Sequence, residues 1–362
     1  MARLKVHIDR LIENIATINA FMHKHGKEWS LVVKVLGTDK AVLTKLLADP
    51  VILGAHSIAV SQWKSLRMVK DLNPALRTMY IKPPSPKNVS YIVKYADISL
   101  NTTLSTIKAL SDEAGKQNKT HQIIVMIEMG ELREGIKREG LIPFYKSIFK
   151  LPNIQVVGIG TNLGCMYGIQ PTYDKLIQLV LYEQIIEAKF KRTMELVSGA
   201  SSITMPILEK GRVPKGINHF RIGEAAFLGT SPLDNKPILG LNTGAFTFES
   251  TIVELYKKEN QPDGVITDAA VGSTSEEDMS EEGSSYKAIL DFGVLDVDAD
   301  HLIPEDPDIR FFGNSSDLTV YDLGDNPRAY KAGDTIRFRL KYMAVAKLMY
   351  SRFVEKAIIE KS

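Results

Sequence analysis

Lys34 is the residue whose type and position most strongly suggest chemistry. It lies in the β-branched apolar run from Leu31 to Leu36, which Gly37 then interrupts. Such a run predicts a strand that is buried on both faces of a parallel α/β sheet. A buried ammonium is unfavourable without a partner, whereas a desolvated lysine becomes the neutral amine that attacks a carbonyl to form a Schiff base. The structural alternative is a strand-end lysine that extends to solvent or pairs with a carboxylate.

Two turns rich in small residues have the composition of phosphate-binding loops. The segment Ser198-Gly199-Ala200-Ser201-Ser202 follows one strand-like run, and Arg221-Ile222-Gly223-Glu224 ends another. Backbone N–H groups and hydroxyls in such turns can approach phosphate oxygens closely. Each turn alone is a weak signal, because Gly/Ser turns are common in loops. Together with Lys34 they predict pyridoxal phosphate, whose aldehyde requires an amine and whose phosphate requires several donors.

The first two-thirds of the chain alternates short apolar runs with amphipathic helical stretches, such as 62–69, 104–116, 142–149 and 173–190. This pattern predicts repeated βα units. Eight strands with intervening helices predict a (β/α)₈ TIM barrel, whose chemistry lies at the carboxyl ends of its strands. The eight predicted strands are Leu31–Val35, Ser57–Val60, Thr78–Ile81, Ile98–Asn101, Ile123–Glu128, Val156–Thr161, Glu195–Ser198 and His219–Ile222.

After Leu233 the pattern changes to alternating runs separated by Gly, Pro and Asp clusters, at 246–255, 286–290, 318–321 and 335–340. This predicts a C-terminal all-β domain. The N-terminal run Lys5–Ile8 would be a ninth strand, so we expect it to join the β domain. The predicted domains are therefore residues 1–9 joining the β domain, 10–232 as the barrel and 233–362 as the β domain.

The composition of the whole chain argues against several functional classes. The 362 residues include 45 Lys and Arg against 43 Asp and Glu, a formal charge of +2. This balance gives no support to nucleic-acid or membrane-surface binding. Cys165 is the one cysteine, so neither an intrachain disulfide nor a cysteine zinc cluster can form. No signal peptide is evident and no run approaches the roughly 20 apolar residues of a membrane span, so we expect a soluble, cytoplasmic protein.

Residues 261–285 differ from the rest of the predicted β domain because they are acidic and contain few apolar side chains. We expect a mobile surface loop there, since its carboxylates lack the ordered ligand spacing of a metal site. The acidic residues in question are Glu276, Glu277, Asp278, Glu281 and Glu282.

Several of these segments together resemble the fold-type III pyridoxal-phosphate enzymes of the alanine racemase superfamily, most closely the predicted amino-acid racemase branch that includes ornithine racemases. The resembling stretches occur in the family's order along nearly the whole chain. They are Val33-Lys34-Val35, Glu128–Ile136, Gly158–Cys165, Val197–Ser202, Ile217–Glu224 and Gly313-Asn314-Ser315-Ser316-Asp317.

The resemblance implies a role for individual residues. Lys34 would form the internal aldimine and move a proton on one face of the substrate Cα. Arg221 would face the pyridine nitrogen and keep it unprotonated, which favours simple return of the proton. The remaining implied cofactor contacts are Ser202, with the backbone N–H groups of Gly223 and Glu224, at the phosphate; Thr38 as an extra phosphate donor; Arg133 beside the ring hydroxyl or the substrate carboxylate; and Asn162 on the cofactor face.

The sequence departs from the family pattern at the second acid/base. Alanine racemases supply it as a tyrosine from the partner subunit's β domain, but the corresponding region here, Asp268–Gly272, contains no tyrosine. The nearest candidates are Cys165, Tyr167 and Tyr286, although a cysteine in an apolar stretch is more often a buried core residue. Ornithine racemases also carry a histidine where this chain has Leu318, which argues against a diamino substrate.

Three functions are consistent with these residues. The leading hypothesis is a pyridoxal-phosphate-dependent amino-acid racemase. A related fold-type III decarboxylase or aldolase is disfavoured because such decarboxylases commonly carry an acidic residue at the position of Arg221. A non-catalytic cofactor carrier or sensor is motivated by the missing tyrosine. By resemblance we also expect a homodimer with shared active sites, in which Ser316 and Asp317 reach the other subunit's cofactor.

Overall fold

A computed structural model of the chain describes residues 2–269, 271–275 and 283–360. The chain divides into two compact units, residues 11–243 and residues 1–10 together with 244–362. From the sequence, we predicted domain boundaries between residues 9 and 10 and between residues 232 and 233. In the structure the second boundary lies between residues 243 and 244, which is 11 residues further along the chain. The described chain begins with strand β1 (Arg3–His7) and helix α1 (Ile8–Lys24).

The larger unit is built on a sheet whose neighbouring strands are all parallel. Its strands are β2 (Glu28–Val32), β3 (Ser57–Val60), β4 (Thr78–Tyr80), β5 (Ile98–Asn101), β6 (His121–Met126), β7 (Ile154–Gly160), β8 (Leu196–Ser198), β9 (Ala200–Ser201) and β10 (His219–Ile222). The order is β8-β7-β6-β5-β4-β3-β2-β10-β9. Since β8 and β9 are two halves of one segment interrupted at Gly199, this path describes a nearly closed barrel of eight segments.

Gly199, at the interruption of this segment, lies at a tightly packed point of the barrel wall. A Cβ there would lie 2.9 Å from the side chains of both Ile217 and Leu179. A larger residue at this point of the barrel wall would require the ends of these two side chains to shift.

Helices follow most of these strands: α2 (Lys40–Ala48), α3 (Trp63–Leu72), α4 (Val89–Tyr95), α5 (Leu104–Lys116), α6 (Leu141–Ile148), α7 (Tyr173–Phe190), α8 (Met205–Glu209) and α9 (Glu224–Leu228). Local signals explain where they begin. The Asp39 side chain accepts a hydrogen bond from the Val42 N–H at 3.0 Å, and Thr172 caps α7 in the same way. These caps satisfy N–H groups that a helix start leaves without partners.

The barrel interior combines an apolar cluster with a buried chain of polar side chains. The apolar cluster contains Val32, Ala59, Met79, Ile98, Leu100, Ile124, Met126, Val157 and Leu196. In the polar chain, His219 contacts the Ser198 hydroxyl through Nδ1 at 2.7 Å and the Ser30 hydroxyl through Nε2 at 2.9 Å. Ser30 in turn contacts Ser57 at 2.7 Å. Burial is tolerated because each of these polar groups finds a partner.

The smaller unit is an antiparallel sheet of order β13-β16-β11-β12-β15-β14. Its strands are β11 (Phe246–Glu259), β12 (Ser284–Leu290), β13 (Leu302–Pro304), β14 (Arg310–Asn314), β15 (Thr319–Asp322), β16 (Thr335–Leu340) and β17 (Glu355–Ile359). Strand β1 pairs antiparallel with β11 and parallel with β17. One helix, α10 (Tyr342–Tyr350), was not predicted; it buries Ala344, Val345, Leu348 and Met349.

Within the acidic segment 261–285, residue 270 and residues 276–282 lie outside the described part of the chain. They include Glu276, Glu277, Asp278, Glu281 and Glu282, so the expected mobile loop stays a prediction. In the parts of the chain that are described, no group of three or more His, Cys, Asp and Glu side chains is arranged to hold a metal ion. No helix within those same parts is long and apolar enough to cross a membrane.

Candidate active site

A cavity of about 520 Å³ lies at the carboxyl ends of the barrel strands. Its wall contains five of the predicted site residues: Lys34, Arg133, Asn162, Cys165 and Arg221. These five residues meet in one cavity because they lie at or after strand ends, and the parallel strands of a barrel all end at the same face. Leu100, Met126, Ile81 and Pro83 form the apolar part of the wall, and Ser61, Lys82 and Glu134 add polar groups that were not predicted.

A larger crevice of about 610 Å³ lies at the opposite, amino ends of β4, β5 and β6, beside Arg77, Asp97 and His121. None of the predicted site residues lines it. In barrels the chemistry lies at the carboxyl ends of the strands, so we take the smaller cavity as the candidate site.

Lys34 lies at the mouth of the barrel, and the prediction that it is buried within a strand is wrong. Strand β2 ends at Val32, and Lys34 begins a 3₁₀ turn that runs to Leu36. The turn forms because Val33 leaves the β region, with φ −89° and ψ 14°. Val33, Val35 and Leu36 are buried, which accounts for the apolar run, while the Lys34 side chain is exposed to the cavity. Its amine is therefore accessible to a ligand.

Arg221 spans the carboxyl ends of two barrel strands. Its Nη1 donates to the Ser198 carbonyl at 2.7 Å and to the Ser198 hydroxyl, and its Nη2 donates to the Thr161 carbonyl at 2.7 Å. Burial lowers the pKa of Arg221 to about 10, which still leaves it protonated at neutral pH. A fixed positive charge is thus held at the base of the cavity.

Arg133 is the centre of a hydrogen-bonded cluster on another wall. Nε and Nη2 donate to the two carboxylate oxygens of Glu134, and Nη1 donates to the Cys165 thiol. With its side-chain oxygen oriented toward Arg133, Asn162 accepts from Nη2 at 2.6 Å and from Nη1 at 3.2 Å. The hydrogen bond with Glu134 raises the pKa of Arg133. A ligand that contacts this guanidinium must therefore displace one of its present partners.

Glu131 fixes the loop that carries Cys165. This carboxylate is 2% exposed and accepts hydrogen bonds from the backbone N–H groups of Cys165 at 3.0 Å, Tyr167 at 2.9 Å and Ile169 at 2.9 Å. Burial raises the pKa of Glu131, but these hydrogen bonds outweigh burial, so the pKa lies below its ordinary value. No sequence signal distinguishes Glu131 from the acidic residues around it.

Ser202 and Gly223, two of the predicted phosphate-binding residues, lie together, but neither they nor Glu224 line the cavity. The Ser202 hydroxyl accepts from the Gly223 N–H at 3.3 Å and from the Ala225 N–H at 3.2 Å. A Cβ on Gly223 would lie 3.1 Å from the Val32 carbonyl oxygen, so the backbone packs closely there. Thr38 is exposed and does not line the cavity.

Glu224, which follows Gly223, was predicted only for its backbone N–H group. In the structure its side chain is also relevant to the site. Burial raises the pKa of Glu224 to about 7, and the positive charge of Lys34 partly opposes this rise. A carboxyl group that titrates near neutrality is therefore electrostatically coupled to the lysine.

The three candidates for the second acid/base differ in position. Cys165 lines the cavity and is exposed, so the interpretation as a core cysteine is wrong. Tyr167 is 63% exposed and lies outside the lining, and Tyr286 belongs to β12 of the smaller unit. Ser316 and Asp317 lie in the turn after β14, where the Ser316 hydroxyl donates to the Asp317 carboxylate at 3.0 Å. Their expected contact with another subunit stays a prediction.

The alanine racemase N-terminal domain family matches residues 6–231 of the chain. The chain belongs to the alanine racemase family. It is 34% identical over 358 residues to the ornithine racemase of Acetoanaerobium sticklandii, covering 99% of each chain. It is 31% identical to the lysine racemase of Thermotoga maritima, covering 98% of this chain and 97% of that protein. The predicted superfamily is thereby confirmed.

Solved structures of the family share the fold. Alanine racemase from Corynebacterium glutamicum aligns over 99% of both chains with a TM-score of 0.72 at 16% identity. Alanine racemase from Streptomyces coelicolor aligns over 99% of this chain and 98% of that one, with a TM-score of 0.75 at 13% identity. These similarities confirm the predicted combination of a TIM barrel with a C-terminal β domain.

Proposed function

We propose that the protein is an amino-acid racemase that uses pyridoxal phosphate and carries out proton transfer with Lys34. The observation that supports this most is the presence of the Lys34 amine and the buried Arg221 guanidinium in the wall of one cavity. An amine can hold an aldehyde cofactor, and a fixed cation opposite it sets the electronic character of the ring. Membership of the alanine racemase family agrees with this chemistry.

The donor set of the site suits pyridoxal phosphate. Lys34 provides the amine for the aldehyde, and Arg221 provides a cation for the pyridine nitrogen. The hydroxyl of Ser202 and the N–H groups of Gly223 and Glu224 would hold the phosphate, at a turn where the Gly223 backbone packs against Val32. Asn162 and Arg133 would line the cofactor. Thr38 is the weakest of the proposed contacts, because no hydrogen bond links its side chain to the Ser202–Gly223 group and it is exposed.

When bound, pyridoxal phosphate withdraws electrons from the substrate Cα and makes its proton acidic. Lys34 Nζ would accept and return that proton on one face of the substrate. Arg221 remains charged throughout, because its guanidinium is protonated at neutral pH and is held by Ser198 and Thr161. Because Arg221 would not transfer its proton to the pyridine nitrogen, the ring would withdraw electrons less strongly. This favours return of the proton to Cα over decarboxylation or aldol cleavage.

Inversion requires a second proton donor, and we propose the Cys165 thiol for this role. Of the three candidates, it is the one that lines the cavity with Lys34. Its thiol accepts a hydrogen bond from Arg133, and Glu131 holds its backbone N–H. A thiol in such a position can be oriented toward the substrate without a tyrosine at residues 268–272.

The class of substrate is a free amino acid. Two of the relatives are named for ornithine and lysine, so diamino acids belong among the substrates to test. The sequence resemblance argues the other way, because it implies a histidine for ornithine racemases at the position of Leu318. We further propose a homodimer in which Ser316 and Asp317 contribute to the partner's site. A cytoplasmic location also stays a prediction.

The test is proton exchange at Cα in heavy water with a panel of L-amino acids, combined with chiral chromatography. The wild-type protein with pyridoxal phosphate should incorporate deuterium and form the D-isomer of at least one amino acid. Cys165→Ala should retain exchange and lose inversion, because one base still operates. Absence of exchange with every amino acid would exclude a racemase, and carbon dioxide release would indicate a decarboxylase.

Two variants serve as controls. Lys34→Ala should lose the visible absorbance that borohydride removes in the wild-type protein, together with all exchange. Lys45→Ala replaces an exposed lysine on α2, outside the cavity, and should change neither. Light scattering at micromolar concentration tests the homodimer, which a monomeric mass would contradict.

A further inference from the structure

Lys82 is a cation in the cavity wall that the proposed chemistry does not use. It follows strand β4 by two residues and lines the same cavity as Lys34 and Arg133. Its side chain is exposed, and it has no hydrogen bond or ion pair with any of residues 2–269, 271–275 and 283–360. Its three N–H donors are therefore available to a ligand.

The other cations of the cavity are already committed. The guanidinium of Arg133 has five N–H donors, and Glu134, Cys165 and Asn162 engage all five. Arg221 is anchored to backbone carbonyls at the base of the cavity. Lys34 is assigned to the cofactor aldehyde. Lys82 is consequently the cation best able to receive an incoming anion.

The strand order separates Lys82 from the predicted phosphate-binding residues. Lys82 follows β4, the third segment of the barrel, whereas Ser202 follows β9, which belongs to the seventh segment. Four steps in a ring of eight place these two segments on opposite sides of the barrel mouth. An anion at Lys82 is therefore a different group from the phosphate at Ser202.

An amino acid always carries an anionic group that can occupy this position, its carboxylate. The cavity favours it, because Lys34, Lys82, Arg133 and Arg221 are positive and Glu134, the carboxylate in the wall, is already bound by Arg133. We infer that Lys82 binds a carboxylate of the amino-acid substrate, an inference that rests on the proposed racemase function. The carboxylate is either the one on Cα or one at the end of an acidic side chain, and an ammonium binds both in the same way.

The test compares Lys82→Met, which removes the charge and keeps most of the length, with Lys82→Arg, which keeps the charge. Lys87→Met is the matched control, since Lys87 is exposed on the same loop and lies outside the cavity lining. KM and kcat are measured for L-alanine, L-glutamate and L-lysine. We expect Lys82→Met to raise KM by about 10- to 100-fold while Lys82→Arg stays near wild type, because a charge-assisted hydrogen bond is lost in one and retained in the other.

The pattern across substrates identifies the carboxylate. A rise in KM for all three amino acids supports binding of the Cα carboxylate, and a rise confined to glutamate supports binding of a side-chain carboxylate. KM values that stay within twofold of wild type for every substrate would overturn the inference. An equal rise in KM in Lys87→Met would also overturn it, because the effect would then come from loss of a positive charge anywhere on this loop.

A binding measurement separates this inference from the proposed function. Calorimetric titration of the cofactor-free protein with propionate, and with propionamide as the uncharged control, does not depend on turnover. We expect propionate to bind more tightly than propionamide, and Lys82→Met to lose that difference. If the wild-type protein turns over no amino acid, the racemase proposal fails, while the propionate result still decides the role of Lys82. Equal binding of propionate by wild type and Lys82→Met, or no binding by either, would overturn it.

Discussion

Glu131 offers the most direct test of how the site is held together, through the substitution Glu131→Gln. The carboxylate accepts three backbone N–H groups of the loop 165–169 and is almost completely buried. Glutamine preserves the shape but removes the charge and replaces one acceptor oxygen with an NH₂ group that faces an N–H donor. The loop that carries Cys165 should therefore open more often.

The magnitude follows from the number and type of these bonds. A hydrogen bond to a charged group contributes roughly 1.5–3 kcal/mol. The glutamine oxygen can take the place of Oε1 and keep the bonds from Cys165 and Ile169 in weakened form, while the bond from Tyr167 to Oε2 is lost. Water can reach the freed N–H groups beside the exposed Met166 and Tyr167, which reduces the loss. We expect the opening free energy of the loop to fall by about 2–4 kcal/mol, which corresponds to about 30- to 700-fold faster amide exchange.

Hydrogen exchange followed by mass spectrometry on peptides covering 163–170 measures this change. Glu139→Gln is the control, since Glu139 is an exposed carboxylate close in sequence. Protection of the Cys165, Tyr167 and Ile169 amides that is equal in Glu131→Gln and the control would refute the reasoning. It would mean that the loop is held by its apolar contacts instead.

The Glu131 carboxylate should also make the stability of the loop depend on pH. The pKa of Glu131 in the folded protein lies below its ordinary value of 4.5. Its contribution to stability is therefore complete above pH 4.5 and is lost as the pH falls through the lowered pKa. Protection of the loop, corrected for the intrinsic exchange rate, should decline below pH 4.5 in the wild-type protein and show a smaller decline in Glu131→Gln.

Three further predictions concern the barrel. Gly223→Ala should weaken pyridoxal phosphate binding by about tenfold in an absorbance titration, since the new Cβ lies 3.1 Å from the Val32 carbonyl oxygen; unchanged affinity would contradict the proposed phosphate position. Arg221→Lys should lower the free energy of unfolding in urea by about 2–4 kcal/mol, because a lysine cannot bridge the two strand ends; an unchanged midpoint would contradict this. Burial lowers the pKa of His121 to about 4 and that of His219 well below 6.5, so the unfolded chain takes up protons that the folded barrel does not. Stability should fall as the pH drops from 6.5 toward 4, by at most about 1.4 kcal/mol per pH unit for each histidine, and His219→Asn should reduce this slope in thermal denaturation; an unchanged slope would contradict it.

Much of the site could be anticipated from the sequence because barrel chemistry lies at strand ends. Lys34, Asn162 and Arg221 each end or follow a predicted strand, and all three line the cavity. Arg133 and Cys165 were selected by the resemblance and line it too. The burial of Lys34 was predicted wrongly, because an apolar run can pack as a 3₁₀ turn as well as a strand, and the turn directs the lysine outward.

Lys82, Glu134 and Glu131 could not be selected in the same way. Lys82 follows a strand as Lys34 does, and that position was a usable signal, but the Pro-rich segment after it resembles an ordinary loop. Glu131 and Glu134 lie in a charged stretch where every side chain is a plausible surface residue. Glu131 accepts from backbone N–H groups of a loop more than 30 residues further along the chain, and no local pattern records that contact. Glu134 pairs with its neighbour Arg133, but the sequence does not show that this pair faces the cavity.

The sequence by itself determined the alternation of strands and helices, and with it the barrel, because hydrophobic periodicity and turn residues act over a few neighbouring positions. It also determined the types of group that end each strand, and therefore the amine, the guanidinium and the small-residue turns. Only the tertiary structure decided which charges are neutralised and which remain available. Arg133 is fully hydrogen-bonded, and Lys82 has no partner among the described residues, because side chains from separate strand ends meet in one cavity. No local pattern records the distances between them.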